Sequence, residues 1–364
     1  MPYGRPDRPG ALTLPSLRVC PKSPILQIAL VTPAPPASRA GNRNTAMRWA
    51  RLLRQCGHTV RVCTEWRPAA EDPEEARAPS ALMLALHARR SHPSMLRFRQ
   101  AVPGRALVLA LTGTDVYRDI IDDADAQRSL QMADSLVVLQ RCAIDELPQA
   151  LHARTFVVHQ SAAAARNVHP LRRCFELGVV GHLREEKDPL LAARALARIA
   201  PAPSGSLPLR VTQIGRSLDP ALASEARLAM DSDSRYRWLG EVAPARARQI
   251  IARSRAMIIS SRMEGGANVV SEAIAAGTPV IASRIPGNLG LLGSDWPATF
   301  PVGDESALAA LIVRVSEDPP FLQSLRDAIA DRAWIADPDQ ERASLAAAVN
   351  GAVDAAAVSA AAIR

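Results

Sequence analysis

The chain has 364 residues, 48% of them apolar and only 4% aromatic, with 29 prolines and a net charge of +8. That length allows two domains of ordinary size, and no apolar run is long enough to suggest a membrane span. The positive charge is spread as arginines along expected helices rather than gathered among aromatics, which argues against a nucleic-acid partner and suits an anionic small substrate.

In chain order, residues 1–23 are polar and broken by proline, lack a signal-peptide core, and are expected to form a disordered extension. An N-terminal domain is expected over 24–165. Its apolar runs at 25–31, 58–64, 81–88, 105–113, 135–140 and 155–161 read as buried strands with helical stretches between. One such stretch, 45–55, has helical apolar spacing at Met47, Ala50 and Leu53 and stops at Gly57. A joint falls near 162–174. A second set of runs, at 175–181, 209–215, 236–240, 256–261 and 278–283, marks a second domain over 170–335. The alanine-rich segment 336–364 reads as a helix packing back toward the first domain. Strands alternating with helices give an α/β fold of two doubly wound, Rossmann-like parallel sheets facing a cleft. Cys20, Cys56, Cys63, Cys142 and Cys174 have no metal-ligand spacing and are odd in number, which points to a reduced, cytoplasmic setting.

In such sheets ligands sit beyond the carboxyl ends of the strands, where glycine loops lead into helices. Four loops qualify. In 33–45, Gly41 lets the backbone turn, Asn44 can cap a helix, and Arg39 and Arg43 add charge beside free amides; the plain alternative is a proline-rich surface loop. In 111–119, Thr112, Gly113 and Asp115 can face the cleft, although Asp115 can equally cap a helix. In 179–189, Gly181 permits close approach, and His182, Arg184 and Lys187 can converge on a phosphate or form a solvated charged loop. The fourth is SRMEGGANVVSEAIAAGTPVIAS, 261–283. The amides of Gly265, Gly266, Ala267, Asn268 and Val269 open a helix N-terminus, which attracts an anion without any side chain. Glu264 precedes it. Glu272 lies within it between apolar flanks, where a carboxylate needs a partner. Carboxylates accept from sugar hydroxyls, so the layout asks for hydroxyls at both ends and phosphates between, as in a nucleotide sugar. His87 and His159 are candidate sugar or acceptor contacts, or ordinary structural histidines. Asp123 and Asp125 form an Asp-X-Asp pattern, but side chains two apart on a helix diverge, so neither a metal nor a cofactor is expected.

The stretch from Trp238 to Ser283 resembles the nucleotide-sugar half of retaining GT-B glycosyltransferases, with their Glu–seven residues–Glu motif followed by Gly-Thr-Pro-Val. By that resemblance Glu264 touches the transferred sugar, the amides of 265–269 the diphosphate, and Glu272 the ribose. The family's Arg–four residues–Lys pair falls on His182 and Lys187, with Arg184 standing in for the missing arginine. A narrower resemblance rests on TPAPPASRAGNRNTAMRWARLL, LMLALHARRS, LTGTDVYRD, VVHQSA and GHLREEKDP, and runs from about Ile28 to Val302. These segments together are similar to the selenosugar synthases of selenoneine biosynthesis. That implies transfer of N-acetylglucosamine or a related hexose from a UDP-sugar to selenophosphate, giving a 1-seleno-sugar after phosphate loss. It also implies coupling to selenophosphate-producing and selenoneine-forming enzymes. Glu264, Lys187 and His87 become the catalytic candidates, and Gly41, Asn42, Arg43, Thr45, Thr112, Asp115 and His159 the acceptor side. The alternatives are a UDP-sugar glycosyltransferase with a hydroxyl or thiol acceptor, a UDP-sugar epimerase, and a non-catalytic nucleotide-sugar-binding protein.

Overall fold

The computed structural model describes residues 24–36, 41–201 and 206–363. The extension expected over 1–23 and Arg39 of the first glycine loop lie outside them. The first unit runs β1 (Gln27–Val31), α1 (Gly41–Gln55), β2 (Thr59–Cys63), α2 (Pro73–Arg77), β3 (Leu82–Leu86), α3 (His92–Ala101), β4 (Ala106–Leu111), α4 (Ile120–Asp122), α5 (Ala124–Met132), β5 (Ser135–Val138) and β6 (Thr155–Val157). The second runs β7 (Phe175–Val180), α6 (Leu191–Ala197), β8 (Leu209–Ile214), α7 (Pro220–Ser232), β9 (Tyr236–Trp238), α8 (Pro244–Arg253), β10 (Ala256–Ile259), α9 (Asn268–Ala275), β11 (Val280–Ser283), α10 (Pro286–Leu292), β12 (Thr299–Phe300), α11 (Glu305–Glu317) and α12 (Pro319–Ala330). A last helix, α13 (Pro338–Ile363), follows.

Both sheets are wholly parallel. Their strand orders are β2-β1-β3-β4-β5-β6 and β12-β11-β10-β7-β8-β9. The order reverses between β1 and β3 in one sheet and between β7 and β10 in the other. Those are the points where connections leave toward opposite faces and open a crevice for a ligand. Strands covered on both faces must be apolar throughout, and β4 shows why. Its Ala106, Val108 and Ala110 pack with Trp49 and Leu53 of α1, while Leu107, Leu109 and Leu111 pack with Phe98 of α3 and Leu130 of α5.

α1 corrects the reading of the first loop. Within the described residues the helix runs from Gly41, so Asn42, Arg43, Asn44 and Thr45 lie inside it and Asn44 is not its cap. Its buried stripe is Ala46, Trp49, Ala50 and Leu53, at helical spacing, whereas Met47 is exposed. The short β12 carried no apolar run of its own and was not anticipated.

By length and composition α13 is apolar enough to cross a membrane. Its Leu345, Ala348, Val349 and Ala352 are fully buried in the core shared by Trp49 and Val108, so it closes the open face of the first sheet. Gly351 permits this close approach, since a Cβ there would stand 2.7 Å from the Phe156 ring. The crossing is fixed by Glu341, which is 1% exposed. Its carboxylate accepts from Arg48 Nε at 2.9 Å, Trp49 Nε1 at 2.8 Å and Ser161 N at 2.9 Å, and from the Ser161 hydroxyl. Replacing Glu341 by alanine strands a guanidinium and three further donors. We expect Glu341→Ala to lower unfolding free energy by about 3 kcal/mol in denaturant titration, against less than about 0.5 kcal/mol for a change at an exposed position such as Val358→Ala.

Candidate active site

The carboxyl ends of β7 and β10 build one wall of the cleft. After β10 the chain passes Ser260 and Ser261 to Glu264, then turns through Gly265 and Gly266 into α9. No side chain caps α9, which leaves its first amides free for an anion. The backbone of Glu264 is pinned by α10: a Cβ at Gly287 would stand 2.0 Å from the Glu264 carbonyl oxygen. Its carboxylate accepts from Ser261 Oγ at 2.6 Å and pairs with Lys187.

Lys187 ends a helical turn, 185–187, that follows β7. Asp188 then adopts a left-handed conformation, φ 39°, and its buried carboxylate takes Arg194 at 2.8 Å and Arg262 at 3.1 Å. The Ser260 hydroxyl donates to the carbonyls of Lys187 and Asp188. These contacts aim the ammonium group at Glu264, so the structure brings together two residues that are 77 apart in the chain.

Glu272 lies one helical level along α9, half-buried, and has no hydrogen-bond partner among the described residues. Burial pushes its carboxyl pKa up, against the opposing pull of Arg248 and Arg48. A carboxylate held in that condition is poised to accept hydroxyl donors.

Arg184, His182 and Arg216 form a basic rim beside Lys187. Gly215, at φ 145°, lets the loops after β7 and β8 touch: a Cβ there would stand 1.9 Å from Gly181 O. His182 Nδ1 accepts from Arg216 N at 3.1 Å. Burial, then the nearby Arg216, and beyond it Arg184 and Lys187, lower the His182 pKa, so the ring is neutral and the charge belongs to its neighbours. Arg184 keeps a buried Nε without a partner. Arg216 was missed in the sequence, although IGR after β8 repeats the apolar-Gly-polar ending of VGH after β7.

The first domain supplies the facing wall. His87 closes β3 in a left-handed conformation, φ 78°, which is costly for a non-glycine residue and is imposed by its surroundings. Its Nδ1 accepts from Arg90 N, and the carboxylates of Asp115 and Asp119 lie 3.9 and 3.7 Å from the ring nitrogens. Burial lowers its pKa. Asp115 is fully buried, and its two oxygens accept from Gly113 N at 2.8 Å and Ala88 N at 3.0 Å. It therefore staples the turn after β3 to the loop after β4, with both oxygens engaged by backbone amides. Thr112 Oγ1 is buried with no partner beside the point where the walls meet. There a Cβ on Gly265 would come 2.8 Å from Gly113 N, and one on Gly266 would come 2.6 Å from Leu139 Cβ. A Cβ on Gly41 would come 3.6 Å from the Asn268 amide nitrogen, Arg43 and Asn42 are half-buried, and Thr45 is buried on Gln160. His159 is set apart from this group. It packs edge-on against Trp334 at 5.0 Å, and burial pushes its pKa down to about 4.

Asp123 caps α5 by accepting from Ala126 N, and Asp125 pairs with Arg128. Among the described residues no group of three or more His, Cys, Asp or Glu is arranged to hold a metal. A groove of about 1170 Å³ lies outside the cleft along α3 and α5 and contains none of the site residues.

Residues 174–318 match the family model "Glycosyl transferases group 1". The chain is also similar in structure to Anabaena HepE solved with UDP and glucose, at 16% identity and a TM-score of 0.66, over 89% of this chain and 99% of that one. The fold is GT-B. Sucrose-phosphate synthase of Thermosynechococcus elongatus aligns at 16% identity and TM-score 0.68, covering 89% and 96% of the two chains. An E. coli chain described as trehalose-6-phosphate bound with UDP-2-fluoro glucose aligns at 13% identity and TM-score 0.64, covering 89% and 98%. No curated protein matches the chain. The region matching the family model contains the whole second wall of this GT-B cleft, from Gly181 to Gly287.

A raised carboxyl pKa has a defined sign in stability. Glu272 binds its proton more tightly folded than unfolded, so its contribution is fully present below the ordinary value of 4.5 and is lost as pH rises through the higher folded value. Glu272→Gln should therefore raise the melting temperature of the ligand-free protein at pH 7, and the gain should vanish near pH 4. Equal melting of the two proteins at both pH values would contradict this.

Proposed function

We propose that this GT-B chain is a UDP-sugar glycosyltransferase. The observation that carries the reading is the Lys187–Glu264 pair set directly before the uncapped N-terminus of α9, with Glu272 unpartnered along the same helix. The α9 amides and the basic rim of Lys187, Arg184 and Arg216 suit a diphosphate. Glu272 suits the ribose hydroxyls, and Glu264 those of the transferred hexose. As the bond between the anomeric carbon and the diphosphate oxygen breaks, its electron pair leaves with UDP. Lys187 and the helix amides meet that charge with dipoles that are already oriented. The relatives solved with UDP, UDP-glucose or a UDP-fluoro-sugar support a donor of this class.

For the acceptor we favour selenophosphate, with N-acetylglucosamine or a related hexose transferred and a carbon–selenium bond formed. The support is the resemblance of the segments around Gly41, His87, Thr112, Gln160 and Lys187 to selenosugar synthases. An anionic, soft nucleophile needs no strong general base. That suits a wall on which Asp115 is engaged with backbone amides and His87 is held neutral. The N-terminus of α1, with Arg43 in its first turn, is the place for the phosphate end. In this reading the enzyme works in the cytoplasm between a selenophosphate-producing and a selenoneine-forming step.

Incubating a panel of UDP-sugars with selenophosphate, thiophosphate or phosphate in EDTA, and reading products by mass spectrometry, tests both levels. We expect UDP and a hexosyl selenophosphate, which water cleaves at its P–Se bond to a 1-seleno-hexose and phosphate, without added metal. Turnover of a UDP-sugar with no acceptor would mark an epimerase, and transfer only to hydroxyl or thiol acceptors would remove selenophosphate. Arg43→Ala should raise the Michaelis constant for selenophosphate about tenfold, the loss of one charged hydrogen-bond partner, while UDP affinity stays within about twofold. A fall in UDP affinity would move Arg43 to the donor.

A further inference from the structure

Gln160 lies just after β6 and is 3% exposed. Its neighbours fix which way its amide points. Arg48 can only donate and the Gly266 carbonyl can only accept, so the amide oxygen faces Arg48 and the amide nitrogen faces Gly266. In that orientation the oxygen accepts from Thr45 Oγ1 at 2.6 Å and Arg48 Nη2 at 3.0 Å. The nitrogen donates to Gly266 O and Asn268 Oδ1, each at 3.1 Å. All four hydrogen-bonding positions of the side chain are filled, two from α1 of the first domain and two from the loop that opens α9 in the second.

We propose that Gln160 is a positioning residue that clamps the 265–269 loop to the first domain and so holds the cleft closed without ligand. The contacts around it leave it as the adjustable element. Gly265 and Gly266 meet Gly113 and Leu139 with no side chain of their own, and Gly290 meets Gln140 in the same way, so those contacts offer close approach but little polar attraction. The polar attraction is concentrated at Gln160 and at Arg48, which Glu341 holds from behind and which also reaches Asn268 Oδ1 at 3.5 Å. The clamp would present the α9 amides to the first-domain wall in one register. Only this catalytic consequence rests on the UDP-sugar reading; the clamp itself does not.

The test uses the isosteric Gln160→Glu variant of the full chain, free of nucleotide. Glutamate keeps both acceptor contacts, to Thr45 and Arg48, and turns both donor contacts into clashes of like polarity. The variant should melt within a few degrees of wild type. Its small-angle scattering should show a larger radius of gyration, and amides in 265–269 should exchange hydrogen about tenfold faster, the effect of losing interdomain hydrogen bonds. Gln160→Met, which carries no charge, should open the cleft in the same direction and covers the case in which the glutamate misfolds. Scattering curves and loop exchange matching wild type in either folded variant would overturn the proposal. Because no donor is present, that outcome is separate from any failure of the UDP-sugar assignment.

Discussion

The arrangement depends on one buried carboxylate. Glu341 stands at the start of the last helix and is held by donors from α1 and from the segment after β6. An unpaired charge at that depth would be prohibitively unfavourable, so the three segments are obliged to meet. Their meeting fixes how α1 lies on the first sheet. It also fixes where the chain leaves that sheet for the second, and where it returns. Arg48, held by the same carboxylate, then projects toward Asn268 and lends part of its field to Glu272. A group far from the glycine loops in sequence therefore sets the geometry of both walls.

The cleft itself is built from absent side chains. Gly265, Gly266, Gly287 and Gly290 each sit where a Cβ would collide with another backbone or side chain. Three of these contacts cross between domains, and Gly287 supports Glu264 from within its own. Two sheets can thus bring their carboxyl edges together while the charged groups keep to the edges of the contact. The Lys187–Glu264 pair is satisfied internally in the free protein. A ligand competing for either group must replace an existing charge-assisted contact, which favours one that offers hydroxyls to the carboxylate and oxyanions to the ammonium together.

Most of the strands could be read from the sequence, because a strand buried on both faces is a bare apolar run, as in ALVLAL of β4 or AMII of β10. The two residues of β12 are too few to give such a signal. Gly41 and Asn42 look like turn residues by type, yet they belong to α1, whose buried stripe of Ala46, Trp49, Ala50 and Leu53 secures the helix through tertiary packing. The loop that opens α9 was legible, since Glu264, the glycine pair and Glu272 lie within one short stretch. Asp115 gave no such local signal: nothing in LTGTDVYRD shows that Ala88 N, in the turn after β3, donates to one of its oxygens. For Arg216 the only signal is the IGR ending after β8, and nothing local marks Gln160 for its contacts; their roles exist only once β7 meets β8 and one domain meets the other.

The placement of α13 bears on how the chain is made. The helix that seals the first sheet comes after the entire second domain in the order of synthesis, so the face bearing Val108 and Val137 emerges from the ribosome without its cover. The first domain cannot be completed vectorially. Until the last helix arrives, an apolar surface stands exposed beside parallel strands that form slowly, a state prone to mispairing with other nascent chains. Expression yield should then depend on chaperone supply and translation rate, more than the stability of the finished fold would suggest.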